Sequence, residues 1–198
     1  TGLLFTSVLA AGLSLALFST DTLFGCEFKS EMYSNIHVLC YTLFFPFYLL
    51  GNIPIASITE TKVRPFAQAW KILGLYILFP LLILYGTILY AYLTKIIIQW
   101  QLPDGWVSAL VSILTIGGAI TLFMLYPLCP QENRPLKFFR QWFGILLLPL
   151  LILMTIGIIR RFQDYGITTN RLYVLLLNFW CYTTALYTIF TSGKKIKI

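Results

Sequence analysis

The sequence predicts an all-α, polytopic transmembrane bundle of about six spans, and three observations carry that reading. The first is composition: 59% of the 198 residues are hydrophobic and 11% charged, with mean hydropathy +0.83. The polar surface of a soluble domain cannot be built from so few polar residues. The second is the recurrence of apolar runs near twenty residues, the length that crosses a bilayer core of about 30 Å. These runs are apolar throughout, unlike the alternating strands of a membrane β-barrel. The third is charge placement. The formal charge of +7 comes from basic residues in short segments between the runs, as the positive-inside bias puts them. No basic-aromatic groove of the nucleic-acid-binding kind is present.

The first span is Leu3–Phe18, or on to Phe24. Ala10, Ala11, Gly12, Ser14 and Ala16 make it rich in small residues, which suits close helix contact. A polar connection from Asp21 to Asn35 follows. The second span, Ile36–Ile58, contains Pro46 and Pro54, whose lost backbone bonds predict a kink. The third, Phe66–Leu93, is long enough to require tilt or a bend at Pro80. Thr94–Gly105 reads as an interfacial segment, with Ile96, Ile97 and Ile98 beside Trp100. The fourth span, Trp106–Leu128, has Trp106 and Tyr126 near its ends, where aromatic belts form. The fifth is Trp142–Ile159, with Pro149 at its middle, and the sixth is Leu172–Phe190.

Six spans put both ends of the chain on one side. That side carries Lys62, Arg64, Lys71, Arg134, Lys137, Arg140, Lys194, Lys195 and Lys197 against Glu60 and Glu132. The other side has five basic and five acidic residues, so the whole net charge lies on one face, assigned to the cytoplasm. The chain reads as one transmembrane domain, residues 1–198, cut from a longer protein. A weak repeat, Arg-Pro before an aromatic start and then Pro-Leu-Leu-Ile-Leu, occurs at Arg64–Leu84 and Arg134–Leu153. It divides the spans into three helical hairpins, with the first pair divergent.

Chemistry is sparse. Cys26, Cys40, Cys129 and Cys181 form no CxxC pair and no disulfide framework. His37 and Cys40 are spaced for one helical face, yet a metal site needs three or four ligands, so no metal or other cofactor is expected. No phosphate loop or dinucleotide fingerprint is present. The span centres hold no ionisable group, which counts against a proton-coupled transporter. Asn178, with Thr183 and Thr184, is placed for hydrogen bonds between helices.

The most specific polar stretch is Arg160–Arg171, read as the extracytoplasmic turn between spans five and six. Tyr165-Gly166 ends one helix, Gly166 supplying a left-handed residue, and Thr168 caps the next. Asp164 is placed to pair with Arg160, Arg161 or Arg171. Beside that structural account stands a functional one, in which Arg160, Arg161 and Arg171 hold an anion such as a lipid phosphate. Expected partners are membrane lipids, an anionic headgroup among them, and a second copy or another membrane protein.

Pro80-Leu81-Leu82, Leu102–Ser108, Arg160/Arg161, Tyr165-Gly166-Ile167-Thr168, Arg171, Tyr173 and Trp180 together resemble a family of bacterial inner-membrane proteins, the domain of unknown function 4153 type. The resemblance covers roughly residues 66–190. It implies a multi-pass membrane protein and no particular activity or site residue. The function class expected is a membrane-embedded scaffold, sensor or assembly platform, with a transporter or lipid-handling protein as the alternative and an enzyme third.

Overall fold

The computed structural model describes residues 2–51, 70, 72–99, 106–125, 134–165 and 168–192. Among these, six helices are long and apolar enough to cross a membrane. They are α1 (Gly2–Phe24), α2 (Ser30–Gly51), α3 (Leu73–Gln99), α4 (Trp106–Leu125), α5 (Arg134–Tyr165) and α6 (Thr169–Ser192). No strand occurs among the described residues.

The helices outrun the apolar stretches at several ends. The connection expected over Asp21–Asn35 is only Gly25–Lys29, because α1 continues to Phe24 and α2 starts at Ser30. Gly25 ends α1 with φ +66, and its N–H donates to the Asp21 carbonyl at 2.8 Å. Asp21 Oδ1 accepts the Phe28 N–H at 3.1 Å and so ties the turn back to the helix it follows. Glu31 falls in the first turn of α2, where the helix dipole favours a negative charge. The interfacial segment expected from Thr94 is likewise helix as far as Gln99. No Gly or Pro interrupts Leu93–Gln99, so nothing stops helical propagation where hydropathy falls. Pro54 and the Arg64–Pro65 part of the repeat lie outside the described residues.

Two helices carry π-helical turns, each just before a proline. In α2 the turn is Cys40–Phe44 and Pro46 follows; in α3 it is Leu73–Leu78 and Pro80 follows. A proline ring crowds the carbonyl four residues back and gives that carbonyl no donor. The extra residue of a π turn shifts the register and relieves the crowding. Pro149 differs, since α5 runs through it as α-helix.

The chain forms two compact units, Thr1–Leu84 and Tyr85–Ile198. In the first, the small-residue face of α1 makes the contacts. Ala10 and Ala16 are buried, and Gly12 lies against Leu81. Phe5 meets Tyr48 edge-on with ring centroids 5.3 Å apart, and the Ser7 and Tyr41 hydroxyls are 2.9 Å apart.

The second unit is built on α5 and α6, which pack against each other more extensively than any other pair, with α4 against both. Leu110, Val111, Leu147, Leu150, Leu151, Met154, Cys181 and Ala185 are its buried centre. Gly144 of α5 faces the Ala185 carbonyl and Thr188 of α6. Close approach at small residues is how helices associate in lipid, where burial of apolar surface gives little drive. Two tyrosines of α3 join this unit by donating to backbone carbonyls, Tyr85 to Leu110 at 2.9 Å and Tyr90 to Leu146. Phe123, Phe179 and Phe190 are 81%, 73% and 76% exposed. An apolar exterior on that scale suits hydrocarbon as the solvent.

Candidate functional site

In the second unit, the end of α5, the start of α6 and the start of α4 come together around a cleft of about 250 Å³. Among the described residues it is lined by Ser108 and Ala109 from α4, Ile158 and Arg161 from α5, and Arg171, Val174 and Leu177 from α6. Two of the three arginines singled out from sequence therefore line the same cleft.

Local structure explains which two. Arg160 and Arg161 sit on the last turns of α5, not in a loop as the polar sequence suggested. Residues 160–165 contain no helix breaker before Gly166, so the helix continues past the end of the apolar run. On a helix, neighbours diverge by about 100° while residues three apart share a face. Both arginines are exposed, but Arg161 shares its face with Ile158 and lines the cleft, whereas Arg160 is not among the lining residues. Arg171, Val174 and Leu177 repeat the same spacing along α6.

Thr168 stands immediately before α6, and its carbonyl accepts the N–H groups of Arg171 and Leu172 at 3.0 and 3.1 Å. Thr168 thus occupies the capping position, and Arg171 falls in the first turn of the helix. Asp164 and Tyr165 close α5; their side chains, and Gly166, lie outside the described residues.

One turn deeper, a polar cluster ties α5 to α6. Asn178 Nδ2 donates to Thr155 Oγ1 at 2.9 Å, and Thr155 Oγ1 is 3.1 Å from the Tyr182 hydroxyl. Asn178 is buried, and its Oδ1 finds no hydrogen-bond partner. Thr183 and Thr184, expected to join helices, instead donate to Phe179 and Trp180 of their own helix. A threonine hydroxyl reaches the carbonyl four residues back without leaving its helix, so it needs no neighbour. Ser112, Thr115 and Thr121 of α4 do the same.

His37 is exposed, with Nδ1 2.9 Å from the Tyr33 carbonyl, while Cys40 is buried. No group of three or more His, Cys, Asp or Glu is placed to hold a metal among the described residues.

The sequence missed Ser108 and the apolar lining residues as parts of the site. The three-residue spacing of Ile158 with Arg161, and of Arg171 with Val174 and Leu177, carries that signal. The contribution of α4 depends on helix packing and has no local signal.

Six long apolar helices, with an apolar exterior and a small-residue seam, define a polytopic α-helical membrane protein. The chain belongs to the family described as domain of unknown function (DUF4153), whose family model matches residues 1–198. The uncharacterized protein PM1469 of Pasteurella multocida (strain Pm70), a bacterium, is 32% identical over 108 residues. The match covers 52% of this chain and 17% of that protein, so the chain spans a small part of its relative's length. No solved structure matches the chain.

Proposed function

We propose that the chain is a non-catalytic module of a bacterial inner-membrane protein that engages an anionic ligand, a lipid headgroup phosphate, through Arg161 and Arg171. The observation that carries this is that those two residues, from different helices, line one cleft of about 250 Å³ together with Ser108. Guanidinium groups suit phosphate because their planar forks donate paired hydrogen bonds and keep their charge at every physiological pH. The role that fits is a scaffold, sensor or assembly platform whose α4–α6 unit reads or holds a lipid. The distribution of basic residues supports cytoplasmic ends, which puts the cleft on the extracytoplasmic face.

The test is retained lipid. The wild type, Arg160→Ala and the Arg161→Ala/Arg171→Ala pair are purified in mild detergent and their bound phospholipid is measured. The wild type and Arg160→Ala retain anionic lipid, and the double variant loses it. Equal retention in all three removes the proposal.

A further inference from the structure

We propose that a second copy of this chain docks on the outward face of α6, along a seam of Tyr173, Leu176, Trp180, Thr183, Tyr187 and Phe190. These residues recur at alternating steps of three and four, the heptad spacing that keeps one stripe turned toward a parallel partner helix. All six are exposed, the five large ones from 44% at Trp180 to 76% at Phe190. The opposite face of α6 carries buried Asn178, Cys181 and Ala185, so the seam takes no part in the contacts that build the second unit. It does not depend on the anion site.

Hydrocarbon covers an apolar helix face well, and the seam is not wholly apolar. Tyr173 and Tyr187 lie near the two ends of α6, where aromatic belts form. Trp180 lies at the midpoint, about 10 Å from either, beyond the reach of a belt. Its indole N–H is a donor, and lipid tails offer it no acceptor. No partner for it occurs among the described residues. The comparison with α2 is instructive. That helix is covered still less by the rest of the chain, yet the hydroxyl of its exposed Tyr41 is 2.9 Å from that of Ser7.

The seam carries the acceptor that Trp180 lacks. Thr183 donates its proton to the Phe179 carbonyl at 2.9 Å and keeps lone pairs on its oxygen. Trp180 cannot use that oxygen as a free acceptor within its own copy, since no such bond forms among the described residues. A second copy supplies it. Copies of a membrane protein share one orientation, so two α6 helices meet in parallel about a twofold axis along the membrane normal. In a parallel heptad pair the hole facing Trp180 is built by Leu176, Phe179, Trp180 and Thr183 of the second copy. The donor of each copy then meets the acceptor of the other, twice by symmetry. Tyr173 and Tyr187 meet their own counterparts, and a hydroxyl both donates and accepts.

The area is sufficient. A buried aromatic side chain covers about 150–250 Å². At the exposures above, the seam offers about 600 Å² per copy and about 1,200 Å² for the pair, within the range of specific interfaces.

The experiment is disulfide cross-linking of the full-length protein in its native membrane, in a background free of other cysteines. Leu176→Cys and Thr183→Cys are expected to give a covalent dimer on oxidation. Leu175→Cys on another face of α6 and Ile156→Cys on α5, both also exposed, are expected to stay unlinked. Equal cross-linking at all four positions reports random collision and overturns the proposal. Seam cysteines that stay unlinked overturn it too, whether lipid, another segment or another protein covers the face.

Energy transfer between labelled copies in liposomes, followed on dilution with lipid, tests the pairing itself. Trp180→Phe and Thr183→Val keep shape and lose one partner each, on a face whose change leaves the unit intact. Each is expected to weaken dimerisation about fivefold to tenfold, the effect of two hydrogen bonds of the size measured between membrane helices. The double variant is expected to be no weaker than either single one, because all three lose the same bonds. Losses that multiply in the double variant overturn the Trp180–Thr183 pairing.

Discussion

Replacing Gly144 and Gly86 by alanine makes the same chemical change in two settings, and the structure assigns the changes opposite signs. A Cβ built on Gly144 lies 2.7 Å from the Ala185 carbonyl oxygen and 2.8 Å from Ile189 Cγ1, with the Thr188 hydroxyl closer still. Ordinary contact starts at 3.4 Å, so α5 and α6 must part by roughly 0.7 Å along that direction. The Ala185 oxygen is backbone and already accepts the Thr188 hydroxyl at 2.7 Å, so it cannot rotate away as a side-chain tip does. Overpacking of this kind costs about 1–3 kcal/mol. Alanine returns about 0.8–1.0 kcal/mol of helix propensity. Gly144→Ala should therefore lose about 0–2 kcal/mol net. At Gly86 nothing lies within 4 Å of the built Cβ, and only the propensity gain remains. The two variants should differ by about 1–3 kcal/mol, the overpacking cost itself. Reversible unfolding in mixed micelles, followed by tryptophan fluorescence, measures both on one scale. Equal shifts of the same sign would refute the packing of α5 on α6 at Gly144.

Three further outcomes follow from other parts of the fold. Gly118→Ala drives a methyl into the ring of Phe143, so it should destabilise by about 1–3 kcal/mol, and Phe143→Leu should recover part of that loss in the double variant. Gly25→Ala should cost about 1–2 kcal/mol although nothing lies within 4 Å, because the penalty is in the left-handed backbone. In a Cys129→Ser background, a membrane-impermeant maleimide added outside spheroplasts should label exposed Cys26 and spare buried Cys40 and Cys181. Labelling of Cys26 only after lysis would invert the proposed topology.

How much of this was legible before the structure differs from element to element. Six spans could be read because hydrocarbon imposes one length and one polarity on every helix that crosses it. Helix ends were harder. Residues 160–165 are polar yet helical, since leaving the membrane does not end a helix; Gly, Pro or a cap does. The π turns before Pro46 and Pro80 went unread, because proline at 149 sits in plain α-helix and the proline alone does not distinguish the cases. Arg161 and Arg171 were visible as unusual charges at a membrane boundary. Their separation from Arg160 needed the helical phase of α5, and Ser108 needed the docking of α4. That last contact joins residues more than fifty positions apart, and only the packed fold supplies it.

The central proposal is that Arg161 and Arg171 hold an anionic lipid in the α4–α6 cleft. Native mass spectrometry of the protein released from nanodiscs of equal neutral and anionic lipid measures it most directly. One anionic lipid is expected to be retained by the wild type and by Arg160→Ala, and none by Arg161→Ala/Arg171→Ala. Retention of neutral and anionic lipid in proportion to the bilayer, unchanged by the arginine substitutions, would contradict it.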